Sequence, residues 1–293
     1  MDNHKSIKEY VFLSGKGGTG KTTITSYVAS CFDQVVVVDC DVDAPNMHLI
    51  YPHKKFLSYP YASASKAFIN NDKCSNCGKC IDLCSFKAIS FRNGITLIDE
   101  FLCEGCMICK KVCSNEAINI VSSEIDKLCI DKTSNGYLIR AEMVSGEENS
   151  GKTVTKLREM AVEIAKKNNI NTIIIDGPPG IACPVMASMT GCKYVLIVIE
   201  PTINAFSDLK RLVDLVLQKG INAKCIINKY NLNISLSNCI QEWCKQNNIE
   251  IISKLVFSNS VLRDLITNKM ESMASKNEFS TSIKKVYNYI KNQ

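Results

Sequence analysis

The feature that most restricts this chain is the run Ser14-Gly15-Lys16-Gly17-Gly18-Thr19-Gly20-Lys21-Thr22-Thr23. Residues 15–22 satisfy G-x-x-x-x-G-K-[ST]; the run follows a short β-rich stretch, Glu9 to Leu13, and opens a helical one, Thr22 to Phe32. A glycine-rich loop between a strand and a helix leaves backbone N–H groups free to close around phosphate oxygens, and the helix N-terminus adds positive potential. In such a loop Lys21 reaches the β/γ oxygens of a nucleotide and the Thr22 hydroxyl ligates Mg2+. The next run, Val35 to Val38, is wholly apolar and β-branched, as expected of a parallel strand covered on both faces.

The same grammar returns after residue 150. A helix-like stretch from Lys152 to Lys167 precedes the apolar strand Thr172 to Ile175. Strands Tyr194 to Ile199, Ala223 to Ile227 and Glu250 to Leu255 alternate with helices Ala205 to Lys219 and Leu236 to Gln246 and one starting near Ser260. Strands alternating with helices predict an α/β fold with a doubly wound, mostly parallel sheet.

The middle of the chain breaks that pattern. Of sixteen cysteines, eight lie between Cys74 and Cys113 and eight are scattered. Cys74, Cys77, Cys80, Cys84, Ala88 and Ile89 recur 29 residues on as Cys103, Cys106, Cys109, Cys113, Ala117 and Ile118. Clustering at fixed spacing points to metal rather than disulfides. An Asn93-Gly94 pair between the halves predicts a hairpin. The flank from Tyr51 to Ala64 has little periodicity and reads as a linker into the repeat. These features divide the chain into residues 1–68, an insertion at 69–121, and residues 122–293.

Composition narrows the setting. The chain is 46% hydrophobic and 22% charged, and no apolar run approaches the ~20 residues of a membrane span. Met1 to Tyr10 is polar, unlike a signal peptide, so a cytoplasmic protein is expected. The formal charge of +6 counts every cysteine as neutral, and thiolates at the eight repeat positions would offset it. Without a basic stripe interleaved with aromatics, nucleic-acid binding is not expected.

Lys16, a second lysine inside the glycine loop, resembles the deviant Walker A motif of the MinD/ParA/Mrp/nitrogenase-iron-protein superfamily of SIMIBI-type P-loop ATPases. Asp39-Cys40-Asp41-Val42-Asp43 resembles that family's switch I, Asp176-Gly177-Pro178-Pro179-Gly180 its Walker B and switch II, and Glu200-Pro201-Thr202 an Mrp-type segment. The resemblance implies ATP and Mg2+ as cofactors, held by Gly15, Lys16, Gly17, Gly18, Thr19, Gly20, Lys21, Thr22 and Thr23 with Asp39 and Asp176. Thr22 ligates Mg2+, Lys21 and Asp41 act in hydrolysis, and Lys16 crosses a homodimer interface to the partner's nucleotide. Asn228-Lys229-Tyr230-Asn231 is similar to the guanine-reading N-K-x-D pattern, with Asn at the last place. A neutral amide is a poor partner for guanine's donors, which favours ATP and makes Asn228 a candidate adenine contact.

The cysteine runs, C-x₂-C-x₂-C-x₃-C twice over, are those of bacterial ferredoxins with two 4Fe–4S clusters, an α+β module. The fourth cysteine of each run reaches the other cluster. One set is then Cys74, Cys77, Cys80 and Cys113; the other is Cys103, Cys106, Cys109 and Cys84. Ser85 and Ser114 stand where the usual proline would follow. Zinc is the rival, but structural zinc sites normally bring separated cysteine pairs.

Other features weigh less. Cys183 follows Asp176 at the distance of an iron-protein cluster ligand, without an evident second cysteine. Cys239 and Cys244 read as structural, and Glu147-Glu148-Asn149-Ser150-Gly151-Lys152 as a helix-capping loop. His4, His48 and His53 show no ligand pairing. Phe279, Ile283, Val286, Tyr287 and Ile290 share one helical face, expected to pack on its own domain rather than on a membrane. The expected function is an ATP-hydrolysing iron–sulfur protein passing electrons or iron–sulfur units to an acceptor protein. The alternative is a MinD-like spatial or assembly ATPase with structural or redox-sensing clusters.

Overall fold

The β-branched runs form the middle of a sheet in the computed structural model, which describes residues 6–62, 65–122, 126–143, 150–267 and 277–293. Strand β1 (Lys8–Ser14) lies between β10 (Thr172–Pro179) and β11 (Tyr194–Ile199), parallel to both, with Tyr10 opposite Ile174 and Tyr194. Strand β2 (Val35–Asp39) follows on the far side of β10, Val37 opposite Ile174 and Asp39 opposite Asp176. Val35 to Val38 and Ile173 to Ile175 are fully buried, as parallel strands covered on both faces must be.

Among the described residues the sheet has nine strands. Its order is β13 (Glu250–Lys254), β12 (Asn222–Ile227), β11, β1, β10, β2, β9 (Gly136–Glu142), β8 (Asp126–Thr133), β3 (His53–Tyr61). Helices α1 (Lys21–Ala29), α5 (Ser150–Lys167), α7 (Ile203–Gln218) and α8 (Ile234–Gln246) connect or follow the parallel strands. Strand order reverses around β1 and β10, and in such sheets the crevice beyond the strands' carboxyl ends takes ligands. The glycine loop, Asp39 and Asp176 all lie at those ends.

Residues 51–64 are corrected by the sheet. In place of a linker, His53–Tyr61 is the edge strand β3, exposed along nearly all its length. A strand with no buried face has no hydrophobic alternation to read. Its Lys54, Lys55 and Pro60 are edge residues that discourage pairing with another chain.

Strands β8 and β9 also have no counterpart in the sequence reading. The turn between them carries Asn135, whose amide donates to the carbonyls of Ala29 (2.9 Å) and Phe32 (2.8 Å) at the end of α1. Its Oδ1 accepts from the Tyr51 hydroxyl at 2.7 Å and from Thr133 at 3.2 Å. Asn135→Ala therefore strips two helix-end carbonyls of donors and is expected to destabilise the chain by about 2–3 kcal/mol in urea unfolding. A change below ~0.5 kcal/mol, typical of surface positions, would contradict that role.

Helix α10 (Glu278–Lys291) packs on the domain, as its apolar face predicts. Phe279, Ile283, Val286 and Ile290 are buried, Phe279 meets the Tyr27 ring edge-on at 5.2 Å, and Tyr10 donates to the Ile290 carbonyl at 3.2 Å. Asn277 caps it reciprocally with Ser280. No helix of the described residues is long and apolar enough to cross a membrane. Helix α5 begins at Ser150, and Glu147 to Asn149 of the capping loop lie outside the described residues.

The chain divides into two units, Met1–Ser58 with Leu128–Glu142 and Ser150–Gln293, and Tyr59–Lys127 with Met143–Asn149. The smaller unit begins before residue 69 and runs past 121 because β4 (Ser65–Ile69) pairs antiparallel with β7 (Ile118–Ser122). Strands β5 (Ile89–Arg92) and β6 (Ile95–Ile98) form the Asn-Gly hairpin, with φ of 52° at Asn93 and 85° at Gly94. Short helices α3 (Lys79–Asp82) and α4 (Ile108–Val112) sit at matched places in the two halves.

Candidate functional site

The glycine loop leaves β1 and turns into α1 with no side-chain cap on its first N–H groups, Gly20 holding the N-cap place at φ 86°. That φ needs glycine, and an added Cβ would also run into the Asn228 amide. Uncapped N–H groups at a helix start suit an anion.

Asp176 gathers the loop's polar side chains. Its Oδ1 accepts from Lys21 Nζ at 2.9 Å and from Thr25 at 3.1 Å, and its Oδ2 from Thr22 Oγ1 at 2.6 Å. Lys21 is 5% exposed and Asp176 fully buried, so each charge depends on the other. The Thr19 hydroxyl in the loop is buried with no partner among the described residues. A polar atom left so is where a ligand oxygen would bond.

The switch I carboxylates face the same charge. Asp39 is buried and accepts the N–H groups of Asp41 (3.2 Å) and Met47 (3.1 Å), tying the loop after β2 to α2 (Met47–Ile50). Burial, and then the Asp176 carboxylate beside it, push its pKa up to about 7. Burial likewise raises Asp41 to about 6, against the pull of Lys21. Three carboxylates near one lysine form a site short of positive charge, which a divalent cation would supply.

Lys16 is held within its own chain. Its Nζ lies 2.9 Å from Glu200 Oε1 and donates to the Thr202 hydroxyl at 3.2 Å. Lys229 takes the other Glu200 oxygen at 3.0 Å and the Gly18 carbonyl at 3.1 Å. Burial alone would raise the Glu200 carboxyl, but the hydrogen bonds from Lys16 and Lys229 outweigh it and hold it below the usual range. The sequence reading noticed Glu200-Pro201-Thr202 without this contact, and it passed over Lys229 and Thr25 as site residues. Asn228 donates to the Thr19 carbonyl at 2.8 Å, and its Oδ1 accepts the Lys229 N–H at 3.0 Å. Asn231 accepts the Phe257 N–H at 2.7 Å, as a turn residue does.

In the smaller unit the repeat cysteines line two small cavities. Cys74, Cys77, Cys80 and Cys113 line one; Cys84, Cys103, Cys106 and Cys109 line the other. The fourth cysteine of each run thus belongs to the other run's cavity. Among the described residues no three His, Cys, Asp or Glu side chains converge closely enough to hold a single metal ion. Cys183 is exposed at the start of α6 (Cys183–Met189), and Cys239 is exposed while Cys244 is buried.

Residues 10–272 match the family described as the CobQ/CobB/MinD/ParA nucleotide binding domain. The uncharacterized protein MJ0578 of Methanocaldococcus jannaschii is 33% identical over 301 residues, covering 99% of both chains. MJ0579 of the same organism, also uncharacterized, is 30% identical over 230 residues, covering 75% of this chain and 79% of its own. The septum site-determining protein MinD of Pyrococcus horikoshii, solved with Mg-ADP, superposes with a TM-score of 0.59 over 97% of this chain and 96% of its own. At 14% identity that last likeness shows the fold alone.

Proposed function

The chain belongs to the CobQ/CobB/MinD/ParA nucleotide-binding family, and on that premise we propose that it is a Mg-ATP-dependent switch ATPase that works as a homodimer on a protein partner. The observation that carries this reading is the buried knot of Lys21, Thr22 and Asp176 beneath the glycine loop. The MinD-like alternative, a nucleotide-driven assembly factor, has the firmer support, because the family match bears on it.

Each residue has a role in that reading. The N–H groups of Gly15 to Thr23 and Lys21 Nζ bind the phosphates, while Thr22 and Asp176 hold Mg2+ with Asp39 supporting. The ion offsets the charge on the β- and γ-phosphates. Asp41 orients the attacking water, its raised pKa suiting a group that must take up a proton near neutral pH. The second amide hydrogen of Asn228 and the free lone pair of its Oδ1 meet the adenine edge. Lys16 leaves Glu200 and Thr202 for the partner's nucleotide when two chains close.

Lys16→Ala tests the switch. It is expected to leave Mg-ATP binding by the monomer intact, to abolish ATP-induced dimerisation in light scattering, and to lower hydrolysis by about 10³-fold or more. Hydrolysis at the native rate would sink the trans role.

For the smaller unit we propose two 4Fe–4S clusters, each in one of the crossed cysteine sets. Zinc, at ~2.3 Å from each sulfur, needs thiolates drawn close together. Four repeat cysteines line each of the two cavities. A cubane takes four cysteines over a wider shell than one zinc ion does, and it supplies one-electron chemistry when bound. Electron transfer to an acceptor protein or delivery of iron–sulfur units, with a structural or sensing role as the alternative, rests on these cavities alone.

A further inference from the structure

The two cysteine cavities come from one repeat, yet their walls differ at matched positions. At the 29-residue offset Ser75, Asn76 and Lys79 are answered by Glu104, Gly105 and Ile108. Each exchange removes a polar or cationic side chain, and the first puts a carboxylate in its place.

The polar half reaches the sulfurs. The Asn76 N–H donates to Cys74 Sγ and the Ala117 N–H to Cys113 Sγ, each at 3.4 Å. The buried Thr96 hydroxyl lies 3.8 Å from Cys74 Sγ and donates to Asn76 Oδ1 at 2.8 Å. A hydroxyl rotates, so it can turn its hydrogen toward the sulfur once that sulfur is a thiolate. Cys77 has the Lys79 N–H and the Ser75 hydroxyl beside it.

The second cavity is walled instead by Ala67, Phe86, Ala88, Ile98, Met107 and Ile108. The Ala67 N–H donates to Cys103 Sγ at 3.4 Å, the Lys110 N–H lies beside Cys109, and Lys66 donates to the Cys103 carbonyl at 2.8 Å. Gly105 cannot carry a counterpart of Asn76, because a Cβ there would collide with the Ser65 carbonyl. Cys103 and Cys109 are buried, whereas all four cysteines of the first cavity are at least partly exposed.

Resting on the reading that these cavities hold 4Fe–4S clusters, we propose that the pair is built to be unequal: the cluster held by Cys74, Cys77, Cys80 and Cys113 has the higher reduction potential. Reduction adds one negative charge. More hydrogen bonds to sulfur and readier access of water stabilise that charge in the first cavity; an apolar wall and Glu104 oppose it in the second. The first electron from a low-potential one-electron donor therefore settles in the first cavity, with no bond broken and no proton moved. The donor loses that one electron. The second cavity is reduced only by a stronger donor.

The test is a dithionite titration of the full chain, reconstituted anaerobically with iron and sulfide and followed by EPR. Two separate one-electron steps are expected, with about a tenfold or greater preference for one site at half reduction, the scale of one hydrogen bond to a charged group. Thr96→Val should narrow the separation by lowering the first step, and Glu104→Gln by raising the second. Ser75→Ala, at an exposed position, repeats the first comparison with little risk to the fold. Coincident steps in the native chain, or a separation that all three variants leave unchanged, overturn the inference with both clusters in place. Absence of any iron–sulfur signal overturns the parent reading, and this one with it.

Discussion

Lys21→Ala is expected to destabilise the larger unit by about 3–5 kcal/mol, the scale of breaking one side of a buried ion pair. The cause is what it leaves behind. Among the described residues Asp176 then stays fully buried with the Thr22 and Thr25 hydroxyls as its side-chain partners, next to the buried Asp39 carboxyl. Two carboxyls so placed cannot both ionise without a cation. Adding Asp176→Asn to Lys21→Ala removes the stranded charge and should restore most of the stability. Neither variant should bind Mg-ATP, since the loop has lost its phosphate lysine in both. Urea unfolding and nucleotide titration together separate the two effects. A Lys21→Ala chain as stable as the native one, or one that still binds Mg-ATP, would contradict the geometry of the knot.

Cys113→Ser should cut iron from about eight to about four atoms per chain, as loss of one 4Fe–4S cluster requires. Crossing of the runs makes a sharper forecast through double variants. Cys74→Ser with Cys113→Ser alters one cavity, although the two residues belong to different runs, so about four irons should remain. Cys103→Ser with Cys113→Ser alters both cavities, although the two residues share a run, so nearly all iron should go. The reverse outcome would mean that each run serves its own site.

What could be read from the sequence is what the chain writes contiguously. The glycine loop, the β-branched strands and the cysteine spacings are local patterns whose physical consequence follows from spacing alone. The placement of the glycine loop, Asp39 and Asp176 at the carboxyl ends of β1, β2 and β10 follows from the doubly wound topology. The missed site contacts are long-range. Lys16 meets Thr202 across 186 residues, and its trans role implied by family likeness gave no hint that Glu200 holds it in cis. Asn135 ties a turn to the end of α1 about a hundred residues away, using an amide that looks like any turn asparagine. Edge strand β3 escaped because it buries no face, and burial is what writes a period into a sequence. The cavity walls were legible in principle. Setting Ser75, Asn76 and Lys79 against Glu104, Gly105 and Ile108 needs only the repeat offset, but the side chains acquire meaning only once they are seen to face the cysteines.

Calorimetric titration of the intact chain with ATP, in the presence and absence of Mg2+, bears most directly on the account. One ATP per chain is expected, bound more tightly with Mg2+ and preferred to GTP, with the Mg2+ gain lost in Asp176→Asn. A folded chain that takes up no adenine nucleotide, or binds it equally well without the ion, would contradict it.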